Sequence, residues 1–293
     1  MRLDTCPACG DLGVPKFASK IDAQLVSNST FSSRKKPELM HYALSECKSC
    51  RSLFVGTRPS QVELANAYKS AAYVAEVESA LAAKSYWREI RKLGLNKVDS
   101  LLDVGCNDGA FIAVVKRAGI ERVIGVEPSE EAIKKAPDEV KQLISLGTLE
   151  DVDFLEKFSM LTCFQTIEHL VDIRSFAQRA RHLLNDGGTV VIICHNRNSL
   201  VNRILGQKSP IFDIEHLQIL TKEGVIALLE TSGFVNVDAR PFSNTYPLRY
   251  WLLLAPIPRR LKDWVEKRGN AWPLSQLVRL PVGNLIVVGT NPI

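Results

Sequence analysis

Four of the seven cysteines stand in two close pairs, Cys6 and Cys9 in "CPAC" and Cys47 and Cys50 in "CKSC". Two intervening residues let both thiolates of a pair turn toward one ion at about 2.3 Å, which is the knuckle spacing of a tetrahedral zinc site. A lone CxxC reads as a redox disulfide; two of them within one segment favour structural Zn2+. The other three, Cys106, Cys163 and Cys194, lie in apolar surroundings and read as small buried residues. An odd, low cysteine count argues against a secreted disulfide framework and for reduced thiols in a cytoplasmic chain.

A second cluster of chemically useful residues lies in "LLDVGCNDGAFI", where an apolar run breaks at Asp103, Gly105, Cys106, Asn107, Asp108 and Gly109. A dinucleotide cradle would require glycines where Asn107 and Ala110 stand, so the turn lacks the close backbone approach that a pyrophosphate needs. Its acidic and amide groups suit a ligand with a cationic amino group and a sulfonium. Further on, "VIGVEPS" ends a run on Glu127 and Pro128, and a carboxylate there can accept both hydroxyls of a ribose. Two Glu-His pairs follow, Glu168 with His169 and Glu215 with His216. An imidazole can exchange a proton near neutral pH, although Glu168 and His169 also have a plain reading as residues that shape a turn.

The elements that must carry these residues alternate. Short apolar runs, "VDSLLDVG", "RVIGVE", "VKQLISL", "MLTCFQT" and "GTVVIICH", read as strands; "AFIAVVKRAG", "SEEAIKKA" and "IRSFAQRARHLL" between them have helical spacing. Residues 61–95 read as two helices. The fold class expected is α/β, a Rossmann-like, doubly wound, mainly parallel seven-stranded sheet with helices on both faces, ligand at the carboxyl ends of the strands, and a small N-terminal zinc-binding module. The boundaries expected are 1–58 for the zinc module, 59–97 for a helical linker or cap, and 98–293 for the main domain, with an inserted lid at about 246–275.

In order, "LLDVGCNDGAFI", "VIGVEPS", "GTLEDV", "TCFQTIEHLVDI" and "LLNDGGTVVIICHN" resemble the motifs of class I S-adenosylmethionine-dependent methyltransferases, over about 98–233, and "GNLIVVGT" is similar to the family's last, antiparallel strand. The resemblance implies S-adenosylmethionine as cofactor. Gly105 and Gly109 would then allow close backbone approach, Glu127 would bind the ribose, and Thr148 and Leu149 would flank the adenine with Glu150 or Asp151 near its amino group. Gln165 would lie beside the methionine portion. A narrower subset, the sugar C-methyltransferases, also begins with a four-cysteine module and carries E-V-P-N and E-H-L-x-Y-F-S motifs. Here "ICHN" and "EHLQILT" stand in their places, with Ile219 at the tyrosine position and only about 60 residues after Gly233. The chain thus resembles a shortened relative, and His216 inherits the role of general base.

Charge excludes some partners. The chain carries a formal +5, and from Arg240 onward eight Lys/Arg face two Asp/Glu, but no dense basic stripe with interleaved aromatics marks a nucleic-acid binder. No apolar run approaches the roughly 20 residues of a membrane span. In "YPLRYWLLLAPIPRRLKDWVEKR", aromatic and leucine residues precede a basic amphipathic stretch; the reading favoured is a lid, with a membrane-surface contact through 246–268 as the alternative. Together these features predict a methyltransferase acting on a small-molecule acceptor, a sugar, nucleotide sugar or other precursor of a surface glycan or secondary metabolite. The rival reading is a cofactor-binding zinc-ribbon scaffold without turnover.

Overall fold

The structure is a computed structural model that describes residues 4–22, 24, 30, 38–60, 62–64, 68, 76–255 and 257–293. The chain begins with four short antiparallel strands, β1 (Asp4–Thr5), β2 (Leu12–Phe17), β3 (Leu44–Cys47) and β4 (Leu53–Val55), joined in that order. The turn between β3 and β4 is the second cysteine pair. Of the two helices expected over 61–95, the second is α1 (Glu76–Lys92); most of the first lies outside the described residues.

The alternating segment then builds the main sheet. β5 (Ser100–Val104) is buried along its whole length and is followed by α2 (Ala110–Arg117), β6 (Arg122–Glu127), α3 (Glu130–Lys135), α4 (Asp138–Lys141) and β7 (Ile144–Leu146). Here "VKQLISL" departs from the strand expected of it. Asp138–Lys141 form a helical turn, with Asp138 and Glu139 in the favourable first turn, and only the last three residues pair with β6. β8 (Phe158–Phe164), α5 (Ile173–Leu183) and β9 (Leu184–His195) complete the parallel set in the order β7-β6-β5-β8-β9.

After β9 come α6 (Leu200–Leu205), β10 (Gln218–Ile219), α7 (Lys222–Thr231), β11 (Val235–Pro247), α8 (Leu248–Leu254), α9 (Arg259–Arg268) and β12 (Leu277–Thr290). β12 runs antiparallel to β9 and to β11, which makes the seven-stranded sheet mixed. Pro247 opposite Leu277 closes the β11–β12 pair, so the insertion is the two-helix excursion at 248–276. β10 does not join this sheet. It pairs antiparallel with β4 and becomes the fifth strand of the N-terminal sheet, so that sheet extends beyond the boundary expected at residue 58.

The two-residue period of the strands sends alternate side chains into two cores. Leu102, Leu161 and Ile192 pack with Phe176 of α5 and Leu228 of α7, while Leu101, Met160 and Val191 pack with Ile112 of α2 and Ile90 of α1. Each such side chain contributes about 1.5–3 kcal/mol through burial. Cys6, Cys47, Cys50 and Phe54 belong to the first of these cores, which fuses the cysteine module to the main sheet. No helix among the described residues is long and apolar enough to cross a membrane.

Candidate active site

The loop after β5 adopts left-handed backbone at Gly105, Asn107 and Gly109, with φ of 72°, 56° and 68°. Glycine is needed at Gly105 because a side chain there would run into Thr166. This path turns the Asn107 amide onto Glu127 Oε2 at 2.9 Å, while Ser129 N donates to Glu127 Oε1 at 2.9 Å. The two motif carboxyl and loop segments are therefore locked together at the carboxyl ends of β5 and β6. Burial pushes Glu127 up to about 7, and burial likewise raises Asp103 to about 7 despite the hydrogen bond it accepts from Thr162 Oγ1 at 2.7 Å.

A cavity of about 480 Å³ opens over these strand ends. Asp103, Gly105, Cys106, Asn107, Glu127, Pro128, Thr148, Leu149 and Gln165 line it, as do His169, Glu215 and His216. Gly109 is absent from that lining. It caps the start of α2, and a side chain there would meet Val140 and, at 3.0 Å, Ile144 Cδ1, so its demand for glycine comes from its left-handed backbone and from packing at the helix start. Asp151 is turned toward Thr148, accepting from its N and Oγ1 at 2.8 Å each, and Glu150 faces the cavity instead. Arg179 of α5 supports this turn by donating to Leu149 O at 2.8 Å and Val152 O at 2.7 Å.

The donor set fits S-adenosylmethionine. Among the described lining residues, Asp103, Glu127, Glu150, Asp172, Asp213 and Glu215 are acidic and none is lysine or arginine, which suits a ligand carrying a sulfonium and an ammonium. Gln165, held at φ 52° at the end of β8, has a buried Nε2 with no hydrogen-bond partner among the described residues. A strained backbone and an unused donor at one cavity position are the features expected where a ligand would be held.

Three imidazoles meet at the other end. The His216 ring lies 4.9 Å from His169 and 5.1 Å from His195, centroid to centroid. His216 Nδ1–H donates to Ile211 O at 2.8 Å, which leaves Nε2 as the ring atom able to accept a proton. His195 Nδ1–H donates to Asn284 Oδ1 at 2.8 Å, and burial lowers the pKa of this histidine. Tyr68 Oη and His169 Nδ1 share a hydrogen bond of 2.8 Å. Glu168 is not among the lining residues and accepts from the His195 amide. Tyr68, His195 and Asp213 were not singled out by motif. Asp213 stands two residues before Glu215 and could have been read from "FDIEH", whereas Tyr68 comes from a distant segment that only folding brings in.

The four sulfurs of Cys6, Cys9, Cys47 and Cys50 lie within 4.8 Å of one another, with Cys6 to Cys50 at 3.7 Å and Cys9 to Cys47 at 3.3 Å. Tetrahedral ligation at about 2.3 Å requires sulfurs about 3.8 Å apart, so the cluster is close to metal-binding geometry. The Cys6–Cys50 contact lowers Cys50 to about 5 while raising Cys6.

From the insertion, Tyr250 and Leu254 of α8 line the cavity, and Trp251 anchors the helix by donating to Val278 O at 2.9 Å. On α9, Leu261 and Trp264 are exposed.

A family model described as a methyltransferase domain matches residues 74–239, more than half of the chain, and the protein belongs to that family of S-adenosylmethionine-dependent methyltransferases. Among curated proteins, it is 31% identical over 122 residues to a ubiquinone biosynthesis O-methyltransferase of Bradyrhizobium diazoefficiens, covering 40% of this chain and 48% of that protein. The chain thus spans about half the length of the curated relatives it matches. Among solved structures, the YcgJ protein of Bacillus subtilis has a TM-score of 0.53 at 14% identity, covering 72% of this chain and 99% of that one. An S-adenosylmethionine-dependent methyltransferase of Thermotoga maritima has a TM-score of 0.50 at 17% identity, covering 73% and 91%. At these identities the two structures establish the shared Rossmann-like fold.

Proposed function

We propose that this chain methylates a hydroxyl group of a small-molecule acceptor, with His216 as the base. The acceptor class we infer is a compact hydroxylated molecule, with sugars and nucleotide sugars among the candidates suggested by the four-cysteine subset. The names of the curated relatives favour oxygen as the atom that receives the methyl. S-adenosylmethionine, when bound, supplies the electrophilic methyl group. Glu127 would hold its ribose, Thr148 and Leu149 its adenine, and Gln165 its methionine portion.

The observation that carries the reading is the fixed orientation of His216: with Nδ1–H committed to Ile211 O, Nε2 is the atom free to take a proton at the cavity wall. The acceptor proton would pass to His216 Nε2 as the oxygen–carbon bond forms and the sulfonium–methyl bond breaks. Glu215 and Asp213 offer carboxylates to neighbouring hydroxyls, and His169 a second polar contact. Most of the rate would come from alignment of acceptor and donor in a cavity that α8 covers as a lid. The exposed Leu261 and Trp264, beside Arg259, Arg260 and Arg268, give α9 the composition of a membrane-surface contact, the second role proposed for the insertion.

His216→Asn tests the chemistry. The variant should keep its fold and bind S-adenosylmethionine within about threefold of the parent, while turnover, read by mass spectrometry of methylated acceptor, falls roughly 10²–10⁴-fold. Normal turnover in a well-folded variant would remove His216 from the mechanism. A parent protein that binds cofactor but methylates none of the hydroxylated candidates would favour the scaffold reading.

A further inference from the structure

The cavity is built in two halves that hang on different parts of the fold. Gly105, Glu127 and Gln165 sit at the ends of β5, β6 and β8 of the large sheet. His169 and His216 sit in segments tied to the cysteine module, and His195, the last residue of β9 in the large sheet, leads into a third such segment. Arg58, just beyond β4, donates from Nε to Val55 O at 3.2 Å and from a terminal nitrogen to Val171 O, two residues after His169. Glu46 of β3, buried, binds Arg197, two residues after His195, and also pairs with Arg51 at 2.6 Å.

The ties are densest at the third segment. Leu217 O, next to His216, accepts from Val55 N at 2.9 Å, and β10 then pairs with β4 in the register Gln218 to Phe54 and Ile219 to Leu53. Thr221 donates from Oγ1 to Cys50 O at 2.6 Å and from its amide to Ser52 Oγ at 3.2 Å. Cross-bonds close the group: Arg197 N donates to Leu220 O at 2.9 Å, and Leu217 N to Glu168 O at 2.8 Å. Gln218 Nε2 reaches Ile167 O at 2.6 Å and Leu170 O at 2.9 Å.

Apart from these cross-bonds, the contacts begin on or beside the β3–β4 hairpin, whose turn is the Cys47–Cys50 knuckle, closed by Cys47 N donating to Ser52 O at 3.0 Å. We propose that the four-cysteine centre is the positioning element of the acceptor half of the cavity: a metal ion held by Cys6, Cys9, Cys47 and Cys50 fixes the β3–β4 hairpin, and the hairpin sets where His169 and His216 stand and the course of the segment that follows His195. Strands of two to six residues bury too little to hold such a sheet firmly by themselves, so the binding energy of the ion is local folding energy. Loss of the ion loosens the acceptor half and leaves the cofactor half on the large sheet intact.

The acceptor label rests on the function proposed above, but the coupling is read without turnover. The zinc-loaded protein with S-adenosylhomocysteine bound is compared with the same protein after chelation under reducing conditions, by hydrogen exchange with mass spectrometry. Amides at 197–199 and 211–221 should exchange at least about tenfold faster without zinc, while those at 101–110 and 122–129 change by less than about twofold. Ser52→Ala, which keeps all four sulfurs, should speed exchange at 217–221 several-fold at full zinc content. Unchanged protection at 211–221 in the zinc-free protein, equal loosening of both halves, or an unaltered exchange pattern in Ser52→Ala would overturn the proposal. Normal turnover of His216→Asn would instead overturn the base role and leave this coupling standing.

Discussion

Glu127 fixes the loop and, in the function proposed, would also hold the ribose. Its two oxygens accept the Asn107 and Ser129 amides at 2.9 Å each, each oxygen keeps further acceptor capacity, and the residue lines the cavity. Glu127→Ala should weaken S-adenosylmethionine binding by about 1.5–3 kcal/mol, measured by calorimetry, through loss of charge-assisted bonds. Unchanged affinity would take Glu127 out of the ribose site. Because burial raises Glu127 and Asp103 to about 7 in the ligand-free protein, both must ionise for the proposed binding, Asp103 to face a cationic ligand and Glu127 to make charge-assisted bonds to the ribose. Cofactor affinity should therefore fall as pH drops below 7, by up to roughly tenfold per unit for each group. Stability of the ligand-free protein moves the other way. The folded pKa values exceed the unfolded ones near 4, so the folded state takes up protons between about 4 and 7 and gains stability as pH falls through that window. An affinity flat from pH 5.5 to 8 would contradict this charge assignment.

Among the elements, the β5–α2 junction bears most of the geometry. α2 starts directly from the left-handed Gly109, whose missing side chain lets Val140 and Ile144 close over the helix start. Gly109→Ala should cost about 2–3 kcal/mol, from left-handed strain plus overpacking, and appear as a lowered melting temperature with cofactor affinity largely kept at low temperature. If the variant melts normally yet loses affinity, Gly109 belongs to the cofactor contact expected from its motif. The same region explains why only the end of "VKQLISL" is a strand: Val140 is buried as a strand residue would be, but it is buried beneath the Gly109 turn, a contact set by the fold.

At the scale of the whole molecule, the cysteine module and the methyltransferase domain share a core and a strand. One zinc per chain is expected from elemental analysis, and Cys47→Ser should lower that content and destabilise residues before Arg58 more than the large sheet. Full zinc occupancy in a Cys6/Cys47 double variant would defeat the ligand set. What the sequence determined by itself was local: the strands, through short apolar runs ending in Asp103 to Gly109 and in Glu127; the helices, through their spacing; the sulfur pairs, through two intervening residues. These signals lie within a few residues of one another, so propensity and spacing carry them. The tertiary structure alone decided that β10 leaves the main sheet to pair with β4, that His169, His195 and His216 meet, and that Tyr68 joins them. Those partners are separated by tens to well over a hundred residues, and their pairing depends on which edges and cavities the packed chain leaves to be filled, a condition that no local pattern encodes.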